Sequence, residues 1–169
     1  KKQSTRGALI MSMYPEIDDK LMDLEEAVSR FIKDGCQLAI GGFTIVRNPM
    51  AIAYEIIRKG IRDIHLVCHS HGQALDVLLG AGCVKRLEIA YGGNGRYAPT
   101  CIRFKKAIQQ GELEFEDYSN YQMTLRFLAG ALGMSFISTK SGLGSDLLNF
   151  EGFSKETRTQ EKVANKKFA

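Results

Sequence analysis

Between Leu21 and Ile32 the apolar positions Leu21, Leu24, Ala27, Val28, Phe31 and Ile32 return every three or four residues. That is the period of one helix face. Asp34-Gly35 follows as a stop signal. The period then changes: Gln37-Leu-Ala-Ile-Gly-Gly-Phe43 is a short apolar run ending in glycines, the pattern of a buried strand feeding a tight loop. Asn48-Pro49 predicts a helix start, with Asn48 as cap and Pro49 in the first helical position. Ile52, Ala53, Ile56 and Ile57 line its inner face, and Gly60 closes it.

The same alternation repeats downstream. Residues 64–68 (IHLVC) predict a strand, Ser70-His71-Gly72 a loop, and Ala74, Leu75, Leu78 and Leu79 a helix. Residues 86–91 (RLEIAY) predict a strand that enters the loop Gly92-Gly93-Asn94-Gly95. A helix is expected from Pro99 to Gly111, a strand over 113–115, a helix over 121–132 and a last strand over 134–138. Strands alternating with helices predict an α/β fold: an open, mostly parallel sheet with helices on both faces, in three α/β/α layers. The pattern divides the chain into an N-terminal extension (1–16), one α/β domain (17–150) and a polar, weakly periodic C-terminal segment (151–169).

Composition narrows the function classes. The 169 residues, 44% hydrophobic and 25% charged, suit one globular domain. The net charge of +4 is concentrated partly at the ends, in Lys1, Lys2, Arg6, Lys162, Lys166 and Lys167. No element interleaves basic with aromatic residues, so a nucleic-acid partner is not expected. No apolar run approaches the roughly 20 residues of a membrane span, and a cytoplasmic chain without membrane contact is the expectation. Cys36, Cys68, Cys83 and Cys101 are widely spaced and form no CxxC pair, which predicts buried thiols rather than a metal site. His69 and His71 stand two apart with no suitably spaced carboxylate or thiol beside them, so no metal is expected there either.

Candidate chemistry lies in the loops. In open α/β sheets, ligands bind beyond the carboxyl ends of the strands, and here those ends carry Gly41-Gly42, Gly72, Gly92 to Gly95 and Gly142 to Gly144. Such loops either make tight turns or offer main-chain N–H groups to an anionic or thioester oxygen. Residues 41–49 match neither the dinucleotide fingerprint nor a P-loop, and no nucleophile elbow occurs. Asp76, Asp146 and Glu151 are isolated carboxylates, read as helix surface, loop capping and solvated tail.

Asp34-Gly-Cys-Gln-Leu-Ala-Ile-Gly-Gly-Phe43 followed by Arg47-Asn-Pro49 resembles the glycine-glycine-phenylalanine signature of class I CoA transferases, and in particular the A-type subunits of the glutaconate CoA-transferases. The likeness continues through residues 53–58 (AYEIIR), Gly60-Ile-Arg-Asp63, Gly80-Ala-Gly-Cys-Val-Lys85, Arg103-Phe-Lys-Lys106, Gly111-Glu-Leu113, Glu116-Asp-Tyr-Ser119 and Gly142-Leu-Gly-Ser145. The resemblance implies the NagB/RpiA-like fold and a hetero-oligomer that transfers CoA between an acyl-CoA and a (di)carboxylic acid. It implies a nucleophilic glutamate in a Ser-Glu-Asn-Gly motif of a B-type partner; that motif is absent from this sequence. The coenzyme A thioester would be substrate, with no permanently bound cofactor and no catalytic residue in this chain. Gly41, Gly42, Phe43, Ser70, His71, Asn94 and Ser145 are the expected pocket residues. Two departures stand out: the chain is short for the family, and His69-Ser-His-Gly-Gln73 replaces the family's acidic-tryptophan loop. Relatives include acyl-CoA hydrolases and decarboxylases, and a wider fold group contains sugar-phosphate sensors. Both readings stand as alternatives, the second kept open by Arg47 and Arg96 near the loops.

Overall fold

The computed structural model describes residues 21–148. The expected N-terminal extension and the polar C-terminal segment lie outside that range. Helix α1 (Leu24–Phe31) precedes β1 (Gln37–Ala39) and α2 (Met50–Arg58). Strand β2 (Ile64–Val67) and the short β3 (Ser70–His71) lead into α3 (Gln73–Gly80). Then come β4 (Val84–Ile89), β5 (Tyr91–Gly92), α4 (Ile102–Gln110), β6 (Glu114–Asp117) and α5 (Asn120–Leu132).

Four strands form a parallel sheet in the order β1-β2-β4-β6. Each step moves one place in the same direction. Right-handed crossovers therefore deliver the connecting helices α2, α3 and α4 to the same face, where α1 joins them. Ile64, Leu66, Leu87 and Ile89 of the sheet meet Val28, Ala53, Ile56, Ala74, Leu75 and Leu78 of those helices in one continuous core. Full burial of each Val, Leu or Ile among them is worth about 1.5–3 kcal/mol. Helices do occupy both faces, but unequally: the second face receives α5, which packs Met123 against Val67 and Tyr118. On that face Glu88 is 3% and Glu116 1% exposed. His65 Nε2 meets Glu88 Oε1 at 2.7 Å, Arg126 pairs with the other Glu88 oxygen, and the Arg126 guanidinium stacks over the Tyr118 ring.

Local expectations are corrected at several points, and Ser70-His71, read as loop, forms the short strand β3. Residues 134–138 form no strand. Gly133 ends α5 in the left-handed region (φ 67°) and Met134 N–H is spent on Ala129 O, which leaves Phe136 70% exposed with no strand beside it among the described residues. The helix expected from Pro99 begins at Ile102; its first amides, Arg103 N (2.7 Å) and Phe104 N (3.1 Å), are accepted by Asp76 Oδ1 of α3. Asn48 does not cap α2: Pro49 holds that position, because the Asn48 side chain is committed elsewhere.

Candidate functional site

After Ala39, Val67 and Ile89 the strands break, and three of them resume as a smaller parallel arrangement on the carboxyl rim. Thr44 bridges His71, and β3 pairs with β5 through Ser70–Tyr91 and His71–Gly92. Thr44 N–H donates to Ser70 O (3.0 Å) and Gly93 N–H to His71 O (2.9 Å). Loops 41–48, 68–73 and 91–97 are thereby fastened to one another by this chain's own bonds.

The first loop needs left-handed backbone at Gly42 (φ 116°), Thr44 (φ 49°) and Arg47 (φ 58°). Gly42 supplies the conformation without cost, whereas the other two must be held there by their surroundings. A Phe43–Val46 bridge with bonds of 2.8 and 2.7 Å closes the turn. Asn48 then anchors it at both ends: Nδ2 donates to Thr44 O (2.8 Å), and Oδ1 accepts from Ala74 N–H (3.2 Å) at the start of α3. Phe43 stands at the outside of the turn, 49% exposed.

His71 lies beneath this loop with no exposed surface. Gly72 N–H donates to Nδ1 (3.2 Å), so Nδ1 carries a lone pair and the proton resides on Nε2, which donates to Gly41 O (2.9 Å). Burial holds the imidazole below its ordinary pKa, and the bond to Gly41 opposes that only in part. The ring is thus neutral, in one tautomer, with both nitrogens engaged.

Gly72 is enclosed by the other two loops. A Cβ there would lie 2.1 Å from Asn94 Oδ1, 2.5 Å from Thr44 O and 2.8 Å from Gly93 O. Gly92 and Gly93 are equally filled, by the Phe104 ring and by Pro99 O with the Tyr91 hydroxyl. These glycines serve close packing of this chain against itself. Gly41 differs: nothing lies within 4 Å of the position its side chain would take. Cys101 donates from Sγ to Gly72 O (3.5 Å), and burial pushes its thiol up to about 12.

Of the expected pocket residues, Gly41, Gly42, Ser70, His71 and Asn94 are brought together, with Phe43 at the margin. Ser70 Oγ donates to Asn120 Oδ1 (3.1 Å) at the start of α5. Ser119 caps that helix in a reciprocal box with Gln122, and both residues reach Ser141, through Ser119 Oγ to Ser141 Oγ and Gln122 Nε2 to Ser141 O (3.3 Å each). The loop carrying Ser145 is therefore seated against α5. Ser145 itself is exposed and turns back to Gly142 O (2.7 Å). Asn94 Oδ1 is buried over Gly72 with no hydrogen-bond partner among the described residues. Thr44, Asn48, Asp76 and Asn120 complete the framework. Sequence reasoning missed them as site residues because their roles are bonds to main-chain or side-chain atoms far away in the chain.

The rim offers main-chain groups, neutral side chains, the exposed Arg47, and Arg96 stacked on Tyr97 at 5.2 Å. Loops 41–48, 68–73 and 91–97 contain no Asp or Glu. Such a rim can cradle and orient an oxyanion or an acyl group, and its loops carry no carboxylate nucleophile.

The profile of the family described as Coenzyme A transferase matches residues 21–163. The A-type subunit of glutaconate CoA-transferase from Acidaminococcus fermentans is 37% identical over 150 residues, covering 88% of this chain and 47% of that protein. The crystal structure of glutaconate coenzyme A-transferase from the same organism superimposes with a TM-score of 0.74 at 36% identity, over 81% of this chain and 43% of that one. The decarboxylase AibA/AibB superimposes with a TM-score of 0.70, also at 36% identity, over 76% of this chain and 49% of that one. The chain spans about half the length of the relatives it matches here.

Proposed function

Because this chain belongs to the coenzyme A transferase family, we propose that it supplies the A-type part of a heteromeric enzyme that moves CoA from an acyl-CoA to a (di)carboxylic acid. The nucleophilic glutamate belongs to a B-type partner. The observation that carries this reading is the rim itself: three interlocked loops, built from main chain and neutral side chains, without a carboxylate. Similarity to the A-type chain of the glutaconate enzyme supports the same division.

In the reaction, the partner's carboxylate attacks the acyl carbonyl and expels CoA thiolate, giving an acyl–glutamyl anhydride. The thiolate then attacks the glutamyl carbonyl, which forms the enzyme-bound CoA thioester and releases the first acid, and the second acid reverses the sequence. This chain's contribution is to bind and orient. Gly41, with open space where a side chain would stand, lets the thioester approach the main chain. The half-exposed Phe43 ring gives apolar surface to the acyl group. Asn94 and Ser70 stiffen the floor, and the Ser145 loop forms the opposite wall beside α5. CoA is substrate, no resident cofactor is involved, and no nucleic acid or membrane takes part.

The test is reconstitution. Mixed with a B-type subunit, the chain should support CoA exchange between an acyl-CoA and free dicarboxylates, and neither chain alone should do so. Exchange by this chain alone would refute the division of labour. A second reading is favoured by the decarboxylase AibA/AibB, which matches at the same 36% identity as the transferase structure. Release of carbon dioxide without CoA exchange in the same mixture would select it.

A further inference from the structure

The imidazole of His71, expected to face substrate, has no exposed surface, and each ring nitrogen is already bonded to main chain. Its neighbours explain what it does there. The Nε2–H bond reaches back from β3 to Gly41, across 30 residues of sequence. Thr44, three residues beyond Gly41, bridges the same His71 main chain. Between those two attachments lie Gly42 at φ 116° and the Phe43 turn. The bond to Gly41 O is thus the side-chain tie at the inner end of a loop whose outer end is held by Asn48. Without it, Gly41, whose Cβ position meets nothing within 4 Å, has no side-chain tie to the strands, and only the packing of Gly42 against the Arg47 and Asn48 main chain restrains the glycine pair.

We propose that His71 is a positioning residue: by donating from Nε2 to Gly41 O it sets the conformation of the Gly41-Gly42-Phe43 loop, and that loop, rather than the imidazole, meets the acyl group. The inference rests on the transferase reading for its catalytic consequence and on the structure alone for its conformational one.

Two amide variants separate the two ring nitrogens. In His71→Gln the amide nitrogen falls at the place of Nε2 and can donate to Gly41 O. In His71→Asn the amide oxygen falls at the place of Nδ1 and can accept from Gly72 N–H, but the bond to Gly41 is lost. Amide hydrogen exchange on the full chain at Phe43 and Thr44 should accelerate at least tenfold in His71→Asn, with Leu66 and Leu87 unchanged, and return near the native rate in His71→Gln. In the reconstituted enzyme, His71→Asn should lower kcat by about tenfold to a hundredfold with KM little changed, and His71→Gln should recover most of it. Nitrogen NMR of the native ring should report a proton on Nε2 alone. Equal exchange in the two variants, a better rescue by Asn than by Gln, or a proton on Nδ1 would overturn the proposal. If native reconstituted protein exchanges no CoA, the transferase reading fails, while the hydrogen-exchange and NMR results still decide the role of His71.

Discussion

Replacing Gly72 by alanine puts one methyl group where three oxygens already converge, at 2.1, 2.5 and 2.8 Å from the ideal Cβ. Two of them, Thr44 O and Gly93 O, are main-chain atoms fixed by the rim ladder, so the methyl cannot be accommodated by a side-chain rotation alone. Overpacking of this kind costs about 1–3 kcal/mol, and the rigid partners place Gly72→Ala at the upper end. The lower chain entropy of alanine in the unfolded state returns roughly 0.4–1 kcal/mol, leaving a net loss of about 2 kcal/mol. With a urea m-value of about 1–3 kcal/mol per molar, the unfolding midpoint should fall by about 1 M. Gly41→Ala is the internal control: its Cβ meets nothing within 4 Å, and its stability should stay within about 0.5 kcal/mol of native. Adding Asn94→Ala to Gly72→Ala removes the nearest oxygen but not the other two, so it should restore only part of the loss. If Gly72→Ala proves as stable as Gly41→Ala, the three loops are not interlocked as described.

Alkylation of the native chain should modify Cys36 alone, since it is half-buried while burial raises the thiols of Cys68, Cys83 and Cys101; mass spectrometry should find four labels only after unfolding, and several in the native chain would contradict this. Because burial lowers the pKa of His71 in the folded chain, the unfolded chain takes up its proton first, near pH 6.5. The native protein should therefore lose stability relative to His71→Gln as pH falls from about 7.5 to about 5.5, and parallel urea midpoints across that range would refute the assignment. Glu88→Gln leaves Arg126 and His65 facing a neutral amide in a position 3% exposed. It should cost about 1–3 kcal/mol in thermal or urea melts, and a neutral result would show the network to be dispensable.

Much of the architecture is written in local pattern. Helical spacing in Val28, Ala53, Ile56, Leu75 and Leu78 and short apolar runs between them predict the βαβ order directly, and the glycine-glycine-phenylalanine segment points to the family. What local pattern cannot carry is competition for a partner. Asn48-Pro49 has the form of a cap, but the Asn48 side chain finds Thr44 O and Ala74 N–H instead. The 134–138 run is apolar enough for a strand, yet a strand needs a neighbour, and none lies beside it among the described residues. The rim loops show the same limit. Their glycines suggest access for a ligand, whereas Gly72, Gly92 and Gly93 are filled by contacts from other loops and helices, and only Gly41 and Gly95 of the three loops leave room. His71 reads as a polar loop residue because nothing near it in sequence reveals that Gly41 and Gly72 occupy both of its nitrogens.

Whether this chain binds and orients while the nucleophile stands on another polypeptide is decided by locating the covalent intermediate. The chain would be mixed with an acyl-CoA and a B-type subunit, and both polypeptides weighed by intact mass spectrometry before and after borohydride reduction. The expected result is a CoA thioester on a glutamate of the partner, with this chain unmodified. A CoA adduct on any residue of this chain would contradict it.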